Sequence, residues 1–125
     1  MNNTTDQFNV ILFQLIEELA EITDSPKFKL ARNVYKTVIE KEPSKPIEQF
    51  IIKVLPIKEK VYSRDEKFFT NYTEKDSTDE QSVITQLITM KPVWTKLTSE
   101  NKDVIFQYLV QLCRASEHYL QLYLQ

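Results

Sequence analysis

The chain contains no glycine in 125 residues, and this absence constrains its fold more than any other feature. Glycine supplies the positive φ angles of tight hairpins and lets the backbone approach a bound phosphate closely. A β-rich fold with many hairpins is therefore disfavoured, and the glycine-rich loops that bind nucleotides are excluded by definition. Helices can be joined by proline, serine, asparagine and aspartate, so we predict an all-α fold.

Apolar side chains recur at helical spacing in the first half of the chain. A first helix is predicted over about 5–22 by the stripe Phe8, Ile11, Leu12, Leu15, Ile16, Leu19 and Ile22. A second is predicted over 26–41, after the helix-start sequence Asp24-Ser25-Pro26, with inward residues Leu30 or Ala31, Val34, Tyr35, Val38 and Ile39. A third starts at Ser44-Lys45-Pro46 and breaks near Leu55, because Pro56 removes a helical hydrogen bond. Its predicted buried face is Ile47, Phe50, Ile51, Val54 and Leu55.

The second half predicts shorter helices and then one long helix. A continuation over 56–62 is followed by a capping box at Ser63–Glu66, which predicts a short helix carrying Phe68, Phe69 and Tyr72. A second capping box, Ser77–Glu80, predicts a helix over 79–90. The longest helix, about 99–123, has the predicted core stripe Ile105, Leu109, Leu112, Cys113, Ser116, Tyr119 and Leu122 or Tyr123. We therefore predict a single domain over 1–125, a compact bundle of five or six helices with the last helix at its centre.

The chemistry-bearing residues do not form a recognisable catalytic set. The one cysteine, Cys113, and the one histidine, His118, are five residues apart and point about 140° apart on one helix. Two such ligands are too few for a structural zinc site, and no Glu is followed by His three residues later, as a di-metal helical bundle requires. We predict no enzyme activity, no cofactor and no metal.

The start of the chain lacks a signal-peptide pattern, and no apolar run approaches the ~20 residues of a membrane span. We therefore expect an intracellular or virion-internal location without a membrane.

Charge is distributed unevenly along the chain. Residues 1–26 contain five acidic and no basic residues, whereas 27–67 contain eleven basic and six acidic residues. Lys29, Arg32 and Lys36 form the candidate basic surface on the second helix. One interpretation is packing of the basic helix beside the acidic first helix, or contact with a protein partner. The alternative is binding of nucleic acid through the 27–67 region, although the pI of about 5.5 is low for such a domain.

Three apolar residues are candidates for contact with a partner. Trp94 follows Pro92 in a short segment, where it is either an interface anchor or a plug between two helices. The last helix ends in five apolar residues, Tyr119, Leu120, Leu122, Tyr123 and Leu124, which one packed face cannot all cover. We expect Leu120 and Leu124 to face outward and to contact another protein or a second copy of the chain, with fraying of the last turn as the alternative.

The stretch from Trp94 to Leu109 has the pattern W-x-x-L-x-x-x-N-K-x-x-I-aromatic-x-Y-L. It is similar to a string in short, uncharacterised helical proteins of large DNA viruses of protists, and the stretch Arg64–Phe69 is similar too. The resemblance covers about residues 50–112 and implies a viral, virion-associated protein, with no catalytic residues to carry over. Together with the residues above, it leads us to predict a non-enzymatic interaction, adaptor or assembly protein.

Overall fold

The computed structural model describes residues 3–24, 26–70, 94 and 97–123, and the elements within these ranges are all helical. Helices α1, α2 and α3 span Asn3–Thr23, Pro26–Lys41 and Lys45–Lys53. A 3₁₀ turn over Leu55–Ile57 leads into the short helices α4, Lys58–Tyr62, and α5, Glu66–Thr70. The long helix α6 spans Ser99–Tyr123. The predicted all-α fold is confirmed, and the predicted bounds of the second helix agree with those of α2.

Helices α1 and α6 share the centre of the bundle, whereas the sequence predicted that place for the last helix alone. Helix α1 contacts α2, α3 and α6, and α6 contacts α1, α3 and α4. The α1 side chains that are completely buried are Phe8, Leu12, Leu15, Ile16 and Leu19. Complete burial of so many side chains on one helix requires neighbours on both sides of its apolar stripe.

Aromatic pairs tie the outer elements to this central pair of helices. The rings of Phe8 on α1 and Phe50 on α3 meet edge to face, with centroids 5.3 Å apart. The rings of Trp94 and Phe106 lie 5.0 Å apart, and both side chains are buried. Phe106 is not among the core residues that the sequence predicts for the last helix. The six inward positions that it assigned without an alternative on α6, Ile105, Leu109, Leu112, Cys113, Ser116 and Tyr119, are all buried.

The connection from α3 to α5 follows the predicted break but not the predicted cap. Helix α3 ends at Lys53, just before Pro56, as expected from the missing amide hydrogen of proline. The predicted Ser63 cap is wrong, because the Ser63 hydroxyl donates back to the Lys60 carbonyl, 3.4 Å away. Instead, Oδ1 of Asp65 accepts a hydrogen bond from the Phe68 amide at 3.1 Å. Helix α5 therefore begins two residues later than a Ser63 cap would place it.

On α2, the structure separates side chains that the sequence placed on one stripe. Ala31 and Tyr35 are buried against the core, whereas Leu30 and Val34 are exposed. The prediction for Val34 is therefore wrong, and Ala31 rather than Leu30 is the inward residue. Leu30 and Val34 lie about 100° from Ala31 and Tyr35 respectively, which takes them past the edge of the packed face.

The end of α6 also differs from the prediction. Tyr119 is buried and Leu120 is half-buried, whereas Leu122 is 48% and Tyr123 71% exposed. Tyr123 follows Tyr119 by one turn and their rings are 5.0 Å apart, so it continues the core stripe. It lies five residues beyond His118, whose Nδ1 is 3.1 Å from the hydroxyl of Thr4 in the first turn of α1.

Several predicted features lie outside the described residues. These are the capping box at 77–80, the helix over 79–90, the side chains of Phe69 and Tyr72, and Leu124.

Candidate protein-interaction face

An open groove of about 480 Å³ runs along the outer side of the α1–α2 pair. Its exposed lining is mostly apolar, and Val10 within it is 57% exposed. The residues that line it are Asp6, Asn9, Val10, Phe13, Gln14, Glu17 and Ile39. An apolar floor with carboxylates at its rim is a composition found in protein contact surfaces.

The α1 side of the groove follows from helical geometry. At about 100° per residue, Asp6, Gln14, Glu17 and Glu21 all fall within about 40° of Val10. Helix α1 has no Lys or Arg, so all the charged side chains around Val10 on its solvent-facing side are acidic. A second depression next to the groove extends this acidic surface toward α6, with the lining Gln14, Glu17, Glu18, Glu21 and Tyr108.

The α2 side of the groove is basic. By the same geometry, Arg32 lies about 20°, Lys36 about 60° and Lys29 about 80° from Ile39, which lines the groove. Helical geometry therefore places Lys29, Arg32 and Lys36 on the side of α2 that carries Ile39, next to the groove. Leu30, by contrast, lies about 180° from Ile39, on the far side of α2. We call this surface the α1–α2 face: the seven groove residues together with Glu21, Lys29, Arg32 and Lys36.

Polar contacts at one end fix the spacing of the two helices. The Asn9 side-chain amide donates a 2.8 Å hydrogen bond to the carbonyl oxygen of Pro43, just beyond the end of α2. The Tyr35 hydroxyl lies 3.5 Å from Oδ1 of the same asparagine. Burial raises the pKa of Tyr35 above its ordinary value, so the hydroxyl stays protonated and able to donate. These contacts hold α1 and α2 antiparallel across the groove.

Many of the other basic residues in 27–67 have acidic neighbours. Lys58 pairs with Glu117 at 3.6 Å and Lys60 with Asp65 at 3.7 Å, and Arg64 pairs with Asp103. Lys45 pairs with Glu42 at 3.4 Å, and Lys29 of the α1–α2 face pairs with Asp24 at 2.6 Å. The Lys29 contact lowers the pKa of Asp24 through a hydrogen bond and the adjacent positive charge. Such pairs reduce the local positive potential that binding of phosphates would need.

Cys113 and His118 lie in different environments on α6. Cys113 is completely buried, and burial is the main cause that raises the pKa of its thiol to about 12. The reactive thiolate is therefore scarce at neutral pH. His118 is exposed, and its Nδ1 lies 3.1 Å from the Thr4 hydroxyl. The histidine thus joins the end of α6 to the start of α1.

The three apolar residues that were predicted to contact a partner differ in how far they are exposed. Trp94 is completely buried, so the alternative in which it plugs a junction between helices is the one that its position supports. Leu120 is half-buried rather than fully outward, because the exposed side at this end carries Leu122. Leu124 lies outside the described residues.

The sequence reading missed the apolar part of the groove. Val10 and Phe13 lie outside the main stripe of α1, on or beside its acidic side. That departure from the 3.6-residue pattern was the available signal, since Val10 and Phe13 form an apolar i, i+3 pair outside the core stripe.

The described residues offer neither a metal site nor a membrane-spanning helix. In the ranges that the structure describes, no group of three or more His, Cys, Asp or Glu residues could hold a metal ion. None of the described helices is both long and apolar enough to cross a membrane. No protein-family model matches the chain, and searches of curated proteins and of solved structures return no significant match.

Proposed function

We propose that this chain is a non-enzymatic protein-interaction domain, an adaptor or assembly component, and that the α1–α2 face is its contact surface. The observation that carries the proposal is the groove, which is lined by the apolar side chains of Val10, Phe13 and Ile39 with the carboxylates of Asp6 and Glu17 beside them. Burial of apolar surface stabilises a contact by about 25 cal/mol for each Å² removed from water. The charged edges add orientation, because charge complementarity selects partners more than it strengthens binding.

The non-enzymatic part of the proposal is supported by how the nucleophile and the base are placed. The Cys113 thiol lies inside the core, away from any substrate in solution. His118 is five residues further along the same helix and points about 140° away. A thiol needs a nearby base or positive environment to become a nucleophile.

The resemblance to helical proteins of large DNA viruses of protists would make a virion the setting of this contact. We propose that setting together with an intracellular location.

The proposal is tested with a random peptide library displayed on phage and selected on the full chain. The chain is immobilised sparsely, so that two copies do not meet on the surface. We expect enriched peptides whose binding weakens at least about tenfold with Val10→Glu, because a carboxylate would enter the apolar floor of the groove.

The matched control is Leu30→Glu, an equally drastic change at an exposed position on the far side of α2. Peptides that use the groove should bind this variant as they bind the original chain. Failure to enrich any peptide, or equal binding to the Val10→Glu variant, would refute the α1–α2 face as a contact surface.

A further inference from the structure

We infer that a second copy of this chain fills the groove, so that two α1–α2 faces pack on each other as a twofold-symmetric dimer. The inference rests on the proposed function, since it names the partner for the same surface. Its basis is that the α1–α2 face is complementary to itself in charge. By helical geometry, one stripe is acidic, with Asp6, Glu17 and Glu21 on α1, and the stripe beside it is basic, with Lys29, Arg32 and Lys36 on α2.

Symmetry determines which stripes meet. In a twofold dimer the same surface is used by both copies, so it must match itself after rotation. A rotation about an axis parallel to the helices, midway between α1 and α2, exchanges the two stripes. The acidic α1 of one copy then lies over the basic α2 of the other. A twofold axis across the helices would instead place acid on acid.

The heights of the charges along the helices are also compatible with this arrangement. Asn9 of α1 contacts Pro43, just beyond the end of α2, so eight residues further along the antiparallel pair Glu17 is level with residue 35. Lys36 and Arg32 are on either side of that level. Rotation about an axis parallel to the helices preserves height, so Glu17 of each copy faces Lys36 and Arg32 of the other. Glu21, one turn beyond, faces Arg32 and Lys29.

Within one copy, Lys29 pairs with Asp24, but three of the other charged side chains form no ion pair with the residues that the structure describes. No other described side chain forms an ion pair with Glu17, Arg32 or Lys36. The Val10 side chain stands at the middle of the acidic stripe and is more than half exposed. In the dimer it would enter the groove between Phe13 and Ile39 of the other copy, which provides the apolar contact that charge pairs alone lack.

The test is sedimentation velocity of the full chain over a concentration series from about 5 to 300 μM. We expect a monomer–dimer equilibrium for the original chain. Glu17→Lys and Lys36→Glu should each raise the dissociation constant at least about tenfold, because symmetry makes every substitution act twice. The double variant, Glu17→Lys with Lys36→Glu, should bind more tightly than either single variant, because positions 17 and 36 of opposite copies then carry opposite charges again.

The control variant changes a charge that lies outside the α1–α2 face. Arg114→Glu reverses an exposed charge on α6 whose field acts on Tyr62 of α4, and it should leave the dimer unchanged. Both Glu17 and Lys36 are exposed, so thermal melts should show every variant folded.

A chain that stays monomeric throughout the series overturns the inference. So does a dimer that is insensitive to both single reversals, or a double variant no better than the single ones. A monomeric chain that still selects peptides through Val10 would leave the proposed function standing and refute only self-association.

Discussion

The side-chain amide of Asn9 donates a 2.8 Å hydrogen bond to the carbonyl oxygen of Pro43. This bond joins the second turn of α1 to the connection between α2 and α3. Asn9 is nearly completely buried. A buried polar side chain stabilises only while its hydrogen bonds are made. This contact therefore sets the spacing of α1 and α2 at the end of the groove.

Asn9→Ala should lower the free energy of unfolding by about 1–2 kcal/mol, because it leaves the Pro43 carbonyl without its donor. Urea denaturation measures this change. The matched control is Asn33→Ala, an exposed asparagine of α2, which should shift stability by less than about 0.5 kcal/mol. Equal midpoints for the two variants would contradict the structural role of Asn9.

A second prediction compares two leucines of α6, ten residues apart. Leu112 is completely buried, whereas Leu122 is 48% exposed. Leu112→Ala should cost about 2–5 kcal/mol through lost burial and the cavity that remains, and Leu122→Ala about 1 kcal/mol or less. Denaturant midpoints decide between this orientation and the sequence-based one, in which Leu122 was an alternative core residue. A large loss with Leu122→Ala would restore the earlier prediction.

The Cys113 thiol makes stability depend on pH in the alkaline range. Its pKa is raised from 9.0 to about 12 by burial in the folded chain. The stabilising contribution is fully present below pH 9 and is lost as the pH rises from 9 through 12, because the unfolded chain releases the proton first. Tyr119, whose pKa burial also raises to about 12, acts in the same direction.

Comparison with Cys113→Ala isolates the thiol from the tyrosines. Above pH 9, the original chain should lose on the order of 1 kcal/mol more per pH unit than the variant. Free energies of unfolding at pH 8, 9, 10 and 11 are measured by urea denaturation. Parallel pH profiles for the two chains would show that the thiol is not buried in the folded state.

Nucleic-acid binding, the alternative function predicted from 27–67, has a clear signature. Phosphate contacts would make affinity for a labelled oligonucleotide fall steeply between about 50 and 200 mM salt. We expect no such binding in fluorescence anisotropy, because ion pairs to Glu117, Asp65 and Asp103 neutralise Lys58, Lys60 and Arg64. Micromolar, salt-sensitive binding that Arg32→Glu abolishes would favour the alternative.

Much of the fold could be predicted from the sequence because local signals and packing agree. Pro26 opens α2, and Pro56 interrupts the chain just after α3, as their missing amide hydrogens require. The stripe that begins with Phe8 predicted the buried side of α1. The cap of α5 was mistaken because Ser63 and Asp65 are both good capping residues, and only the backbone path selects between them.

The contact surface could be predicted only in part. Helical spacing placed Lys29, Arg32 and Lys36 on one face, and the charge distribution suggested the acidic first helix as the neighbour of α2, which α1 is. The groove requires Phe13 and Ile39, from two helices, to lie side by side, and periodicity within one helix carries no information about that pairing. At the end of α6, Tyr123 continues the buried stripe in sequence, but it is 71% exposed, which the spacing within one helix does not reveal.

The most direct test of the α1–α2 face is its amide NMR spectrum in a dilution series of the full chain. We expect concentration-dependent shifts at Val10, Phe13, Glu17 and Lys36, and their loss in the Val10→Glu variant, because the groove is where copies meet. Shifts confined to 119–123, with the α1–α2 face unchanged at every concentration, would contradict this and place self-association at the exposed end of α6.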